Sequence, residues 1–233
     1  MKKQLIIIGA GPSINTGINL GLWDKIRDSF SCGLNYSFKY FPSTYQVFVD
    51  RDFYIGNRKD LKKLPLIIGR DNNLFPCKLE SNTLVLPTAK TFDRTLLSGV
   101  YKNGLAGIFS LSIGIHLIDN GEIFLLGYDY SDDKTLKDAQ NRPWSHFYQG
   151  NIEHKGIGRA GHYNTPGKAE RDFGEFRKEK KVKIYNVSLG SQIPGDIFPK
   201  ISYSKFFKML NKKQYNQVFL RGEICKKLKD LLN

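Results

Sequence analysis

The stretch Leu5-Ile6-Ile7-Ile8-Gly9-Ala10-Gly11-Pro12-Ser13 decides how the rest of the chain is read. A short apolar run halted by glycine reads as a strand buried on both faces, the kind found inside a parallel sheet. It is too short for other uses, since a secretory core needs roughly 7–15 apolar residues and a membrane helix about 20. The expected location is therefore cytoplasmic. A Gly-x-Gly after a strand lets the backbone turn tightly and offer its amides to an anion, with the dipole of the next helix adding favourable field. A tight turn without a ligand is the plain alternative. The third glycine of a dinucleotide fingerprint falls at Ile14, Pro12 interrupts the expected helix start, and no Gly-Lys-Ser or Gly-Lys-Thr follows. Neither a hydride-transfer cofactor nor a Walker loop is indicated.

Working outward, Val47–Val49, Leu66–Ile68, Thr83–Leu86, Ile123–Leu126 and the more polar Lys183–Val187 read as further strands, six in all with the first. Val100 to Asp119 is apolar nearly all round and reads as a central helix buried against the sheet. Strands alternating with helices imply right-handed crossovers and an α/β fold: a single doubly wound, mostly parallel, Rossmann-like sheet that binds ligands at the carboxyl ends of its strands. Residues 132–166 lose periodicity and gather Gly, His, Asn and aromatics, which reads as a long lid segment. The expected organisation is a catalytic domain over 1–200, lid included, followed by a basic amphipathic helical tail over 201–233.

The 233 residues suffice for one sizeable core, and 40% hydrophobic with 13% aromatic residues excludes a largely disordered chain. Cys32, Cys77 and Cys225 are far apart and form no CxxC, so neither a disulfide framework nor a cysteine zinc site is supported. A net charge of +14 invites nucleic acid, anionic lipid or a phosphorylated substrate, but the lysines are spread as on an ordinary solvated surface. In the tail, Phe206, Phe207, Leu210, Val218, Phe219, Ile224, Leu228 and Leu231 alternate with lysines. Packing on the domain is one use of such a segment; peripheral contact with an anionic membrane is the other.

The strand ends supply the candidate site residues. Gly9, Gly11, Pro12 and Ser13 form the turn; Asp50 and Asp52 flank Arg51; Asp129 and Tyr130 follow Gly127. The Asp50 and Asp52 carboxylates could hold ribose hydroxyls or a magnesium ion carrying a diphosphate, or one of them could simply cap a helix. Ser98 and Gly99 open the long helical stretch, where they would face a phosphate or act as a plain cap. His146, His154 and His162 fall in the lid, in spacings that match no zinc motif, and an imidazole near its usual pKa suits acid–base work. His116, on the apolar stretch, reads as a core histidine.

These residues in this order, from Ile6-Ile7-Ile8-Gly9-Ala10-Gly11-Pro12-Ser13 through Leu97-Ser98-Gly99-Val100-Tyr101, Ile123-Phe124-Leu125-Leu126-Gly127-Tyr128-Asp129-Tyr130 and Gly161-His162 to Val182-Lys183-Ile184-Tyr185, resemble the bacterial lipooligosaccharide sialyltransferases. The same skeleton resembles that of hydroxymethylpterin diphosphokinase-like proteins, and the likeness covers residues 1 to about 190. The first resemblance implies that Gly9, Gly11, Ser13, Asn35, Ser98 and Gly99 hold the nucleotide of an activated sugar. It also casts His162 as base toward the acceptor hydroxyl in a metal-independent inverting transfer. The sequence departs from that family at Ala10 and Asp50, where asparagines are expected. It departs also at Thr95, where the arginine is displaced to Arg94, and at Ser131, where a tyrosine is expected. Arg94, Tyr130, Tyr148 or Arg159 would then stabilise the donor phosphate, while Asp50 and Asp129 lean toward ribose or sugar hydroxyls.

The expected activity is glycosyl transfer from a nucleotide-activated donor to an acceptor that is a glycan, a lipid, a protein or a nucleic acid, with no cofactor. The alternatives are a magnesium-dependent diphosphotransferase and a non-catalytic nucleotide- or nucleic-acid-binding protein.

Overall fold

The computed structural model describes residues 3–70, 79–101, 105–137, 141, 143–144, 146–148, 167–211 and 213–231. In chain order the elements are β1 (Lys3–Ile8), α1 (Ile14–Asn19), α2 (Leu22–Lys25), β2 (Ser31–Leu34), a 3-10 turn (Asn35–Lys39), β3 (Tyr45–Phe48), α3 (Arg51–Leu61), β4 (Ile67–Arg70) and β5 (Thr83–Leu86). Then come β6 (Thr88–Ala89), β7 (Val100–Tyr101), α4 (Ala106–Ile118), β8 (Gly121–Leu126), β9 (Asp133–Lys137), β10 (Pro143–Trp144), α5 (Lys168–Phe173), a second 3-10 turn (Gly174–Lys178), β11 (Lys183–Asn186), α6 (Tyr203–Met209) and α7 (Gln217–Lys229).

Seven of these strands form one sheet in the order β11-β8-β1-β2-β3-β4-β5. Every pairing in it is parallel, with Ile6 opposite Ser31 on one side and Phe124 on the other. The fold is thus an α/β Rossmann-like sheet flanked by helices, with a helical C-terminal segment. From β1 the chain first builds toward β5 and later returns to place β8 on the opposite flank of β1. That reversal creates a crevice between the ends of β1 and β8, the place where open α/β sheets hold their ligands.

Alternation along β1 divides the core. Leu5 and Ile7, fully buried, join α4 and the inner face of α7. Ile6 and Ile8 join Ile14, Leu22, Phe124, Leu126 and Phe206 on the other face. A strand whose side chains are buried in both directions must be apolar throughout, which is why the alternating pattern of a half-exposed strand is missing.

The seven-stranded sheet has one more strand than the sequence suggests, β2. Its sequence, Ser-Cys-Gly-Leu, carries little apolar signal. Its place comes from pairing: the Ser31 amide donates to Thr44 Oγ1 at 3.0 Å and the Thr44 amide returns a bond to Ser31 Oγ at 3.2 Å, so the buried hydroxyls are satisfied without apolar bulk. The long apolar stretch from Val100 is also divided. Val100–Tyr101 pairs with Thr88–Ala89 as a short ladder, and the helix proper begins only at Ala106.

Residues 201–231 are not an appendage. Phe206 is fully buried in the β1/β8 face, and Leu220, Ile224 and Leu228 close the opposite core. Polar ties run the same way: Gln4 Nε2 donates to the Met209 carbonyl at 2.9 Å, and the Asn211 amide donates to Gln4 Oε1 at 2.8 Å. Packing on the domain therefore claims most of the apolar tail residues, while Val218 and Phe219 stay exposed. No helix among the described residues is long and apolar enough to cross a membrane. Because Phe206 is fully buried against the β1/β8 face, Phe206→Ala is expected to lower unfolding free energy by about 3–5 kcal/mol, measured by urea denaturation; a loss below about 1 kcal/mol would show the tail to be peripheral.

Candidate functional site

At the β1/β8 crevice the glycine turn is closed by the protein itself. The Gly9 amide donates to the Leu126 carbonyl at 2.8 Å and the Gly11 amide to the Gly127 carbonyl at 2.9 Å. A Cβ on Gly11 would lie 2.6 Å from the Gly127 carbonyl oxygen and 2.3 Å from Asp129 Oδ2, so glycine is required by close approach. Gly127 meets the turn with φ +66°, a left-handed conformation that favours glycine. One further amide, that of Ser13, donates to Asp129 Oδ2 at 2.8 Å. The anion held by this turn is thus the Asp129 carboxylate, and the expectation that the Gly9, Gly11 and Ser13 amides cradle a ligand phosphate is corrected.

Beside this seam lies a cavity of about 160 Å³. Its floor is the turn Gly9–Gly11 and Gly127–Tyr128; its sides are Leu34, Asn35, Val49 and Asp50 from the ends of β2 and β3, and Leu105–Gly107 at the start of α4; Tyr130, Ser131, His146 and Phe173 close it. Among the described lining residues there is no lysine or arginine.

Asp50 stands at the N-cap of α3, yet its side chain caps no helix amide. The residue lines the cavity. The residue keeps an exposed side at the cavity mouth, and the protein around it desolvates the carboxyl, raising its pKa above the usual carboxylate range against the opposing pull of Arg70. Arg70 is itself buried and donates to the Val49 carbonyl at 2.8 Å. Asp52 is exposed on α3 and does not reach the cavity.

Asn35 lines the opposite side. Its carbonyl accepts from Gln46 Nε2 at 2.7 Å, while its Oδ1 is buried with no hydrogen-bond partner. It also has φ +47°, and Tyr130 has φ +54°. Two non-glycine residues in left-handed backbone facing one cavity mark stored strain, which clusters at functional sites. Tyr130 is held by Asp172, which its hydroxyl contacts closely, and Asp172 is paired with Lys168 at 2.7 Å. Tyr128 fixes the start of α4 over the strand ends, donating to the Gly107 carbonyl at 3.0 Å; burial pushes its pKa up and keeps the phenol protonated.

The described part of the expected lid is structured. Beyond the β9/β10 hairpin, the Phe147 amide donates to the Ala10 carbonyl at 2.8 Å, and Phe147 and Tyr148 are buried. His146 stacks on Tyr148 with ring centroids 5.2 Å apart, and Tyr148 stacks in turn on Tyr40 at 6.2 Å. The result is an aromatic wall of which the imidazole is the face toward the cavity. His154, Arg159 and His162 lie outside the described residues.

Three expected site residues are elsewhere. Arg94 donates to the Asp119 carbonyl at 2.7 Å and to its carboxylate at 3.1 Å, at the C-terminal end of α4. The cavity is at the other end of this 13-residue helix, about 20 Å away at 1.5 Å per residue, so Arg94 cannot bear on a phosphate there. Ser98 is exposed in the turn that follows Arg94, and neither it nor Gly99 lines the cavity. The residues that do so in their place are Leu105, Ala106 and Gly107; the turn dipeptide Asn103-Gly104 just before them is the sequence signal for that later helix start. His116 packs near the same far end, its Nδ1 3.2 Å from the Arg94 carbonyl, and burial lowers its pKa.

No protein-family model, curated protein or solved structure matches the chain.

The raised pKa of Asp50 carries a sign. The folded state binds this proton more tightly than the unfolded chain, so the ionised carboxylate costs stability, which is regained as pH falls through the folded pKa. Asp50→Asn, which mimics the neutral form, is expected to raise Tm at neutral pH and to converge on the parent protein in scans down to about pH 4. An equal or lower Tm at neutral pH would show that burial does not strain this carboxylate.

Proposed function

We propose that the protein is a transferase acting on a nucleotide-activated sugar, with the nucleoside in the cavity between Asn35, Asp50 and the start of α4. The observation that carries this reading is a cavity at the topological switch point with Asn35 in its wall, a residue whose buried Oδ1 has no hydrogen-bond partner. A base amine or ribose hydroxyl would supply the missing donor. Asp50 would accept from a ribose hydroxyl, and the His146 imidazole, backed by Tyr148 and Tyr40, offers a stacking face worth about 1–3 kcal/mol to a planar base. The first turn of α4 lines the same cavity without a capping side chain, which favours a negative phosphate there.

In the transfer, the acceptor hydroxyl oxygen forms a bond to the anomeric carbon as the anomeric carbon–phosphate oxygen bond breaks. The nucleotide departs with that electron pair, and the hydroxyl proton passes to a base. The sialyltransferase resemblance assigns that base to His162; His146 is the imidazole lining the cavity.

The second reading, a magnesium-dependent diphosphotransferase, is favoured by the uncapped Asp50 carboxylate at a cavity free of lysine and arginine among its described walls. Against it, no cluster of three metal-capable side chains occurs among the described residues. Thermal-shift measurements with nucleoside mono- and diphosphates and their sugar conjugates, with and without magnesium, separate the two. Glycosyl transfer predicts that one nucleotide raises Tm regardless of chelator, through a stabilisation that reaches about 2.7 kcal/mol at a hundredfold excess over Kd. Asn35→Ala abolishes that shift and Arg94→Ala leaves it. A shift that vanishes with chelator supports the second reading; no shift with any nucleotide defeats both. His162→Ala should retain the shift and lose about 10²–10⁴-fold in transfer.

A further inference from the structure

Tyr130 stands where two spaces meet beside the glycine seam. The residue before it, Asp129, locks the turn through the Ser13 amide. The residue after it, Ser131, lines both the cavity described above and a second cleft of about 390 Å³, whose wall includes Asp129, Asp132 and Tyr203. Tyr130 itself lines the first cavity on a backbone with φ +54°. An aromatic residue keeps that conformation only where its surroundings hold it there.

α5 supplies a hold on the far end of the side chain. Asp172, only 6% exposed, accepts from the Tyr130 hydroxyl, and Lys168, one turn earlier on the same helix, pairs with the same carboxylate oxygen at 2.7 Å. The Lys168 ammonium also lies 5.8 Å from the centre of the Tyr130 ring. Phe173, next to Asp172, meets that ring edge-on with centroids 5.3 Å apart and lines the cavity with it. Neither Asp172 nor Lys168 is a lining residue, so whatever they do for a ligand passes through Tyr130.

Stability is a poor account of this ion pair. α5 is already anchored by buried Ala169 and Phe173, the latter packed on Tyr128 and Phe198. A buried pair pays desolvation on both partners, and apolar side chains in its place often serve a fold as well or better. Here the pair ends on a strained residue of the cavity wall.

We propose that Asp172, with Lys168 as its counter-ion, is a positioning residue that fixes the Tyr130 ring in the cavity wall before a ligand arrives. Binding then does not have to order that side chain. The effect on the ligand rests on the nucleotide reading above; the effect on the ring does not.

Two readouts on the full chain test this. In NMR spectra of the protein with isotope-labelled tyrosine rings, the Tyr130 signal is assigned by its absence from Tyr130→Phe. It should shift or broaden in Asp172→Ala and in Lys168→Met, while the signals of the fully buried Tyr45 and Tyr54 stay in place. In thermal-shift titrations with the 5′-mono- and diphosphates of cytidine, uridine, adenosine and guanosine, Asp172→Ala should weaken the nucleotide that binds the parent by about tenfold, the cost of ordering one large side chain. Asp172→Asn keeps an acceptor oxygen for the phenol and should lose only about threefold. In a Tyr130→Phe background, which lacks the hydroxyl, Asp172→Ala should weaken binding no further, whereas a role in folding alone would act regardless of that hydroxyl.

The proposal is overturned if the Tyr130 signal in Asp172→Ala matches the parent, if nucleotide affinity is unchanged, or if the full loss persists in the Tyr130→Phe background. Where Asp172→Ala does not fold, Asp172→Asn and Lys168→Met decide on the same two readouts. If no nucleotide binds the parent, the nucleotide reading falls, and the ring signal alone decides whether Asp172 positions Tyr130.

Discussion

Two strand exits joined by backbone hydrogen bonds hold the functional region in place. Gly9 and Gly11 donate to the carbonyls of Leu126 and Gly127, extending the β1/β8 pairing past the end of the sheet. Side chains at Gly9 or Gly11 would collide with those carbonyls, so the seam requires that these two positions lack a Cβ. Asp129 then locks the seam by accepting the Ser13 amide. An internal carboxylate at this point removes the turn as a ligand cradle and makes it a rigid partition with a cavity on either side.

The partition explains the chemistry of the two spaces. On one side, Asn35, Asp50, His146 and the first turn of α4 present one unfilled acceptor, one desolvated carboxylate, one aromatic face and one uncapped helix start. On the other, the carboxylates of Asp129 and Asp132 and the hydroxyls of Ser131, Ser188, Ser202 and Tyr203 make an acidic, polar wall. Both are free of lysine and arginine among their described walls, despite the basic composition of the chain. Net charge therefore says little about these sites, because the lysines are distributed where solvent reaches them.

The helix α4 ties the arrangement to the core. Its middle is buried among Leu5, Ile7 and Ile123, while Tyr128 pins its first turn to the strand ends. Its other end is occupied by Arg94, Asp119 and Lys227, the last donating to the His116 carbonyl at 2.7 Å from α7. The C-terminal segment thus braces the end of α4 that is remote from the cavities, and it contributes Tyr203 to the second of them through α6.

Sequence by itself determined the sheet. Continuous apolar runs such as Leu5–Ile8 and Ile123–Leu126 can be satisfied only by burial on both faces, and their separation by helical stretches forces parallel crossovers. It also located the strand ends where Gly9–Ser13, Asp50 and Asp129 converge, because ligands in such sheets follow from topology. β2 escaped it, since Ser31 and Cys32 are held by neighbours and not by an apolar pattern. Tertiary structure alone decided which amides were already spent, that Asp129 serves the turn, that Arg94 belongs to the far end of α4, and that Tyr203, near the end of the chain, faces Ser13 near its start. These are properties of pairs distant in sequence, and hydrogen-bond satisfaction is settled only when the chain brings both members together.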